Sequence, residues 1–459
     1  MTCIEYLQQA TSKLGTPIPA LEAERLAFYI AEVMSTRNRE FHNLEHAVTI
    51  GTSENPIAQL AGIFHDVVYI QIDRARTYFL REALEPCEIS NDLTLDITPK
   101  ILENPDVSLV ALLFGINVGQ TIGTHQGLNE FLSALSTFRW LKPYLNPADL
   151  IGVINAIEAT IPFRYQVNDD LHQTMIIRMK EAAVFFKTEL TIDQLKLMVH
   201  SAVEVANRDV MGFTAPDPSL FIQDTWALLY EANSDLQKRF YSLNSYLHAV
   251  NGMDQFFQKL SHTSILRQFE NVPEQSQYQK MVQRCEFNVS TGRQYTAIKL
   301  VEVALLNAVA ECTGGTVPAD FFYGAKSSDG DSHYESLENH LTIPREINSS
   351  DGKTLIHKET YKLLIQPRSK KSKFDNKTSY LAAFLISNLK GEAELSNLYF
   401  SAKEYAASNE HALGYLAHFG SELLLMITQA IARIAPSRAE ELQSLRERIE
   451  QYRASNKTP

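Results

Sequence analysis

Two short segments of the sequence carry histidine and aspartate side chains at spacings that suit a divalent metal ion. His42 and His46 are four residues apart, so on a helix they share one face and are separated by one turn. His65 and Asp66 are adjacent within an apolar segment. Burial of a His-Asp pair is costly unless something binds both side chains, and a divalent cation binds imidazole nitrogen and carboxylate oxygen together. A lone histidine in apolar sequence is usually a hydrogen-bonded core residue, but two such segments near each other favour a metal site.

The sequences around these residues resemble the HD superfamily of metal-dependent phosphohydrolases. The resemblance rests on the motifs Phe41-His42-Asn43-Leu44-Glu45-His46 and Phe64-His65-Asp66-Val67-Val68-Tyr69. It is strongest to a bacterial group with a Tyr-His-Asn motif followed by Phe-His-Asp-x-Val-Tyr. It extends to the cyclic-nucleotide phosphodiesterases, which share the His-Asn motif. The bacterial group has an Asn-Glu-x-x-Ser-Ala segment soon after its His-Asp pair, and here that segment stands at residues 129–134, after an insertion.

The resemblance implies a role for each residue of the two motifs. His46, His65 and Asp66 would be metal ligands, and Asp66 would bridge a second ion if one is bound. The ion would be Mg, Mn, Zn, Fe or Ni, between which the sequence does not distinguish. It would activate a water molecule to attack a small phosphorylated substrate, such as a nucleotide. His42 would protonate the leaving oxygen as a general acid, and Asn43 would support the ligands.

The resemblance also requires an acidic metal ligand on a helix near the C-terminal end of the domain. Residues 198–212 are the candidate segment for it. Asp209 continues the apolar stripe of the helix predicted there, so it faces inward. That stripe consists of Leu195, Val199, Ala202 and Ala206. Glu204 lies nearly opposite the stripe and is predicted to be a solvated charge that pairs with no particular residue. The phosphodiesterase pattern favours Glu204 together with Asn207 instead, so Asp209 is the preferred ligand and Glu204 the alternative.

Further histidines between the His-Asp pair and Asp209 are few. His125 lies in a glycine-rich segment, His172 at a predicted helix start, and His200 away from the inward stripe. Each is predicted to be structural or solvated. The histidine that relatives often place shortly after a threonine is absent after Thr160. A one-metal site, or a second ion held mostly by Asp66 and water, is consistent with this pattern.

Basic residues near the motifs are predicted to be surface charges rather than phosphate ligands. They are Arg39, Arg164 and Arg208. The lysine cluster formed by Lys370, Lys371 and Lys373 is predicted to be a solvated loop.

Two alternatives to a phosphohydrolase remain at this point. A diiron oxygenase of the HD type would use the same histidine and aspartate ligands together with additional histidines. The absence of a histidine after Thr160 counts against it. A non-catalytic scaffold or sensor would keep the metal site without turnover. The long C-terminal half, which matches no motif, makes the scaffold credible.

The predicted architecture is mainly α-helical, with an HD-type helical bundle at residues 1–270 followed by a mostly helical region at residues 280–459. Residues 271–276 are the candidate linker. Residues 85–106 look irregular, and residues 314–378 form a polar segment in which short strands and flexible loops both fit the sequence, for instance at 362–366. The predicted helices cover residues 21–34, 57–70, 127–140, 148–160, 172–187, 191–212, 218–231, 236–257, 295–312, 379–389, 393–408, 411–434 and 437–454.

Composition sets the class of protein. The 459 residues include 54 acidic and 42 basic side chains, so the net charge of −12 argues against a broad nucleic-acid-binding surface. The four cysteines are far apart and form no C-x-x-C motif, which favours free thiols. No signal peptide is evident, and the apolar segment at 107–123 is short for a membrane span, so we expect a cytoplasmic protein without a membrane partner. The apolar segment at 412–434 either packs within its domain or forms a homo-oligomer surface.

Overall fold

The computed structural model of the chain describes residues 2–73, 78–163, 170–238, 240–323, 336–344, 356–366 and 379–456. Its secondary structure is mainly α-helical, as predicted. The chain divides into two compact units. Unit 1 comprises Met1–Thr214 and Ser261–Glu286, and unit 2 comprises Ala215–Leu260 and Phe287–Pro459. None of the described helices is both long enough and apolar enough to cross a lipid bilayer.

The described helices follow one another along the chain as α1 (Cys3–Lys13), α2 (Ala20–Met34), α3 (Leu44–Ile50), α4 (Pro56–Phe64), α5 (Ile70–Asp73), α6 (Tyr78–Leu84), α7 (Pro99–Leu102), α8 (Pro105–Phe114), α9 (Leu128–Leu141), α10 (Pro147–Ala159), α11 (Leu171–Phe185), α12 (Ile192–Asp209), α13 (Pro218–Ala232), α14 (Leu243–Lys259), α15 (His262–Ile265), α16 (Gln275–Cys312), α17 (Ala319–Tyr323), α18 (Lys358–Ile365), α19 (Tyr380–Asn388), α20 (Glu392–Ala406), α21 (Ala412–Ala417), α22 (Ser421–Ile434) and α23 (Ala439–Ser455). Single 3-10 turns lie at Thr124–Gln126, Met211–Thr214, Leu337–His340 and Pro436–Arg438. Strands β1 (Thr94–Asp96) and β2 (Thr121–Gly123) form an antiparallel pair in which Leu95 faces Ile122.

Unit 1 is built around helix α10, which packs against α4, α9 and α12. From Leu150 to Ala159 every residue of α10 is buried, in accord with its nearly unbroken apolar sequence. Helix α12 starts as predicted, because the Thr191 side chain accepts a hydrogen bond from the Gln194 amide and the Gln194 side chain accepts one from the Thr191 amide. These helices form the rigid frame on which the candidate site is carried.

The two motif segments differ in structure from the helices predicted for them. Helix α4 ends at Phe64, so His65 caps it and Asp66 lies in the turn that follows. The predicted helix 57–70 stops there because amides beyond it bond to α9: Val68 N donates to Ser133 Oγ and Ile70 N to Asn129 Oδ1. Tertiary hydrogen bonds thus replace the helical ones.

His42 and His46 do not share a helical face, contrary to the prediction. Helix α3 begins only at Leu44, and His42 lies in the bend before it. Asn43 occupies the N-cap position, where its side chain accepts a hydrogen bond from the His46 amide. An N-cap residue is non-helical, so the helix begins after Asn43 and contains His46 but not His42.

Unit 2 contains α13, α14, most of α16, and α17 to α23. Its bounds differ from the predicted domains 1–270 and 280–459, since residues 215–260 belong to unit 2 and the boundary after Glu286 falls within α16 rather than at 271–276. Aromatic packing accounts for this: Phe221 of α13 contacts Phe257 of α14, and a Cβ at Gly292 of α16 would lie within 3.1 Å of both rings. Such contacts between distant segments leave no local signal in the sequence.

Most helices predicted in unit 2 are present, but α14 begins at Leu243 rather than at 236, and α16 begins at Gln275 rather than at 295. The prediction of a short strand or loop at 362–366 is wrong, because helix α18 covers Lys358–Ile365 and buries Tyr361 and Leu364. The predicted helix 411–434 is interrupted before Gly420, the N-cap of α22, and becomes α21 and α22. Most of the polar segment at 314–378, including Lys370, Lys371 and Lys373, lies outside the described residues.

Candidate metal centre

Helix α3 and the bend before it position His46. The Asn43 cap accepts a hydrogen bond from the His46 amide at 3.1 Å, and its Nδ2 donates to the Glu40 carbonyl at 3.1 Å. The His46 ring packs against the Phe41 ring, with 4.8 Å between centroids. Asn43 therefore fixes the first turn of the helix that carries His46.

The end of helix α4 positions His65. Its Nδ1 lies 2.8 Å from the Gly62 carbonyl oxygen, which can only accept, so Nδ1 carries the proton. Nε2 is therefore the nitrogen that faces the cluster of side chains described below, and it would offer its lone pair to an ion once its own proton is lost. This is the tautomer that metal-bound histidines use, with the second nitrogen donating to a carbonyl.

A close approach of α3 and α4 brings the two histidines together. A Cβ added at Gly62 would lie 2.7 Å from Gly51 N and 2.8 Å from the Ile50 carbonyl oxygen. Backbone atoms cannot shift as side chains do, so only glycine fits at position 62 without moving one of the helices. The ring centroids of His46 and His65 lie 5.4 Å apart as a result.

The turn after α4 positions Asp66, and helix α9 holds that turn. Ser133 accepts a hydrogen bond from the Val68 amide at 3.0 Å, and Asn129 accepts one from the Ile70 amide at 3.1 Å. Both side chains are buried and belong to the Asn-Glu-x-x-Ser-Ala segment. That segment supports the Asp66 turn and contributes no side chain to the His-Asp cluster.

Helix α12 ends at Asp209 and places its carboxylate beside the histidines. Arg208 helps, because its Nη1 donates to the Ile50 carbonyl at the end of α3. Glu204 lies elsewhere, where it accepts a hydrogen bond from Ser53 at 2.5 Å and pairs with Arg208 at 3.5 Å. Glu204 is therefore not the solitary charge that was predicted. Asn207 bonds twice to the backbone of Arg267, so the Glu204–Asn207 alternative does not meet the histidines.

Four side chains converge in one cluster: His46, His65, Asp66 and Asp209. One ligand atom from each lies within 4.8 Å of every other. Asp209 Oδ1 lies 3.2 Å from Nε2 of His46 and 3.2 Å from Nε2 of His65. Asp66 Oδ2 lies 2.8 Å from His65 Nε2 and 3.6 Å from His46 Nε2. This group could hold a metal ion.

The donor set and its spacing fit a divalent ion. Ligand atoms at about 2.1 Å from one ion lie roughly 3.0 Å apart at octahedral angles and about 3.4 Å apart at tetrahedral ones. The nitrogen-to-oxygen distances of the cluster span these values. Asp66 Oδ2 is buried and accepts no hydrogen bond from the described residues, although His65 Nε2 is 2.8 Å away. A buried carboxylate oxygen without a hydrogen bond is costly, and a cation would satisfy it.

Charge interactions within the cluster are strong. Burial alone would lower the pKa of His65, but the carboxylates of Asp66 and Asp209 outweigh burial and raise that pKa well above its ordinary value. Burial alone would raise the pKa of each aspartate, but the neighbouring imidazoles, His65 foremost, hold the pKa values of Asp66 and Asp209 below the ordinary range. Both aspartates are ionised at neutral pH, as metal ligands must be.

His42 lies at the edge of the cluster. Its Nε2 is 4.0 Å from Asp66 Oδ2, and its side chain keeps 16% exposure. The ring stacks on Tyr69 at 4.7 Å between centroids and meets the edge of Phe41 at 4.8 Å. Two aromatic contacts thus hold the ring beside the four converging groups, with part of it open to solvent.

The remaining candidates lie apart from the cluster. His125 is exposed in the Thr124–Gln126 turn. His172 and His200 both pack against Phe269, where burial lowers the pKa of each, that of His172 to about 4. Arg164 lies outside the described residues.

Arg39 is buried, so its prediction as a surface charge is wrong. The sequence signal for its burial is Asp73, an acidic residue three positions after the apolar run 67–70, since a carboxylate buried there needs a cationic partner. Arg39 pairs with Asp73. Sequence reasoning also missed the supporting roles of Gly62, Asn129 and Ser133.

Comparisons with known proteins add no relative. No family model, no curated protein and no solved structure matches the chain. The resemblance to the HD superfamily therefore rests on the two motifs, and the function must be argued from the geometry of the site.

Proposed function

We propose that this chain is a divalent-metal-dependent phosphohydrolase that acts on a small phosphoester such as a nucleotide. The observation that carries the proposal is the convergence of His46, His65, Asp66 and Asp209 on one point, with His42 beside them. Two imidazoles and two carboxylates form a donor set for divalent ions. A third imidazole next to such a set is suited to proton transfer.

Each residue then has a role that its surroundings support. His65, with Nδ1 donating to Gly62, offers Nε2 as a ligand, and His46 offers the facing Nε2. The two carboxylates would balance the charge of a bound divalent ion. A divalent ion bound there would supply a water nucleophile at neutral pH and positive charge for the phosphoryl oxygens. His42, stacked on Tyr69, would hold the proton that passes to the leaving oxygen.

A metal and activity survey tests the proposal. The purified protein is loaded in turn with Mg, Mn, Zn, Fe(II) and Ni, metal content is measured, and hydrolysis is followed on phosphomonoesters, phosphodiesters and nucleotides. We expect metal-dependent turnover that is lost with metal in His65→Ala. His42→Ala should keep the metal and lose about 10²–10⁴-fold in turnover, the usual contribution of a general acid.

Two carboxylates of the same helix give a matched pair of variants. Asp209→Asn should weaken metal binding, whereas Glu204→Gln should leave it unchanged, because Glu204 bonds to Ser53 and Arg208 outside the cluster. Metal binding by wild type without turnover on any phosphoester would overturn the enzymatic assignment. Two iron ions per chain with oxygen consumption would indicate an oxygenase instead.

A further inference from the structure

Arg39 lies three residues before His42 and is buried beneath the candidate site. Its side chain has no solvent exposure, and that of its partner Asp73 has 5%. A guanidinium keeps its charge under all ordinary conditions, so its burial requires both a counter-ion and acceptors for its N–H groups. The surroundings of Arg39 provide both.

The guanidinium joins the two segments that carry the motifs. Nη1 donates to the carbonyl of His42 at 2.8 Å and to the carbonyl of Asp66 at 2.7 Å. Nη2 donates to the carbonyl of Val67 at 3.4 Å. One planar group thus bonds to the bend before α3 and to the turn after α4. It does so at the backbone of His42, the proposed general acid, and of Asp66, a proposed metal ligand.

Asp73 completes the arrangement. Its carboxylate accepts from Nε of Arg39 at 3.3 Å and also from Nη2, which makes the pair bidentate. The same carboxylate accepts a hydrogen bond from the Tyr69 amide at 3.1 Å. Tyr69 in turn stacks on His42. Asp73 therefore links Arg39 to the backbone of the residue whose ring stacks on His42.

The donor count shows which role Arg39 can fill. A guanidinium has five N–H donors, and five acceptors surround this one: three backbone carbonyls and the two oxygens of Asp73. No N–H remains for a phosphate group. Lysine, with three donors around a single point charge, could not make the same set of bonds.

We infer that Arg39, paired with Asp73, is a positioning residue that fixes His42 and Asp66 relative to each other. The inference rests on the proposed function, since it concerns the same metal site. Removal of groups that orient metal ligands usually weakens metal affinity about 10- to 100-fold. We expect a loss of this size when the Arg39–Asp73 pair is removed, without any change to a ligand side chain.

The experiment uses the full-length chain and Co²⁺ as the probe. The double variant Arg39→Gln/Asp73→Asn removes both charges together, so neither is left buried alone. Co²⁺ affinity is measured by calorimetry and ligand geometry by the visible absorption spectrum. We expect about 10- to 100-fold weaker binding and an altered spectrum. Arg39→Lys, which keeps the charge opposite Asp73, should show an intermediate loss, and it provides the measurement if the double variant does not fold.

Unit 1 offers a matched control in Arg139 and Asp106. Arg139 also pairs with an aspartate, at 3.2 Å, and also donates to a backbone carbonyl, that of Ala83, at 2.7 Å. These bonds do not involve the metal cluster. Arg139→Gln/Asp106→Asn should lower thermal stability but leave Co²⁺ affinity and spectrum unchanged.

The outcomes separate the two proposals. If wild type binds no divalent ion, the proposed function fails. If wild type binds Co²⁺ and a folded Arg39 variant binds it with the same affinity and spectrum, the positioning role is overturned. Equal losses in the Arg139 control would overturn it as well, because they would reflect general destabilisation.

Discussion

At the scale of single residues, His65 lies between two carboxylates with its Nδ1 proton committed to a carbonyl. Asp66 Oδ2 is 2.8 Å and Asp209 Oδ1 is 3.2 Å from its Nε2. In the metal-free protein a proton on Nε2 balances part of this negative charge, and a bound cation would replace that proton. The pH dependence of stability therefore reports on the site.

We predict that the metal-free protein loses stability as pH rises above about 6.5, the ordinary pKa of an unfolded histidine. The folded-state pKa of His65 is raised, so its stabilising effect is complete below the unfolded value and disappears as pH rises through the folded one. His46, Asp66 and Asp209 face the same ring, and His42 lies 4.0 Å from Asp66. Urea unfolding in the presence of a chelator, carried out from about pH 6 to about pH 9, measures the unfolding free energy as a function of pH.

The matched variant for this prediction is His65→Gln, which removes the titrating ring. Its unfolding free energy should change less over the same pH range. A wild-type slope identical to that of the variant would contradict the assignment. In the acid range the sign is opposite: the lowered pKa values of Asp66 and Asp209 give stability that is present above about 3.9 and is lost as pH falls through the folded values.

At the scale of elements, the site depends on how closely α3 and α4 approach each other. Gly62 faces backbone atoms of Ile50 and Gly51, and its own carbonyl orients His65. The turn after α4 is held from outside by Asn129 and Ser133. Neither feature contributes a ligand, yet both decide where the ligands lie.

We predict that Gly62→Ala destabilises unit 1 by about 1–3 kcal/mol, the usual cost of forcing extra volume into a packed contact. The new Cβ would lie 2.7 Å from Gly51 N, so α3 and α4 must separate and metal affinity should fall. Denaturant unfolding and metal titration measure the two effects. Gly123→Ala is the control, because its nearest neighbours would be 3.7 Å away. Equal effects of the two substitutions would show that the contact does not matter.

At the scale of the whole molecule, all four residues of the cluster belong to unit 1. Binding of an ion adds free energy to the folded state that holds the site. Unit 2 has its own core, which includes Trp226, Tyr246 and Tyr295, and contributes no group to the cluster. The two units should therefore respond differently to metal.

We predict that a saturating divalent ion slows amide hydrogen exchange in α3, α4 and α12 but not in α19 and α22 of unit 2. The reason is that local opening of unit 1 must release the ion, whereas opening within unit 2 need not. Mass spectrometry of hydrogen exchange, with and without the ion, compares the exchange rates of these helices. The variant His65→Ala should abolish the difference. Equal protection in both units would contradict this prediction.

The sequence by itself indicated the candidate metal ligands and most of the helices. Two His-bearing segments in apolar surroundings indicated a metal site, because burying a His-Asp pair requires a ligand for it. The 3.6-residue period of α12 identified Asp209 as inward-facing, and the structure places that residue with the histidines. Capping residues such as Thr191 marked a helix start correctly. All of these are local signals.

Tertiary structure decided what local signals cannot carry. The predicted helix through His65 ended early because Asn129 and Ser133 accept hydrogen bonds from the Ile70 and Val68 amides, across sequence separations of 59 and 65 residues. Arg39 changed from a predicted surface charge to a buried one because Asp73, 34 residues later, folds against it. The bounds of the two units followed from aromatic packing between α13, α14 and α16. In each case the deciding partner is distant in sequence, and only the folded chain brings it near.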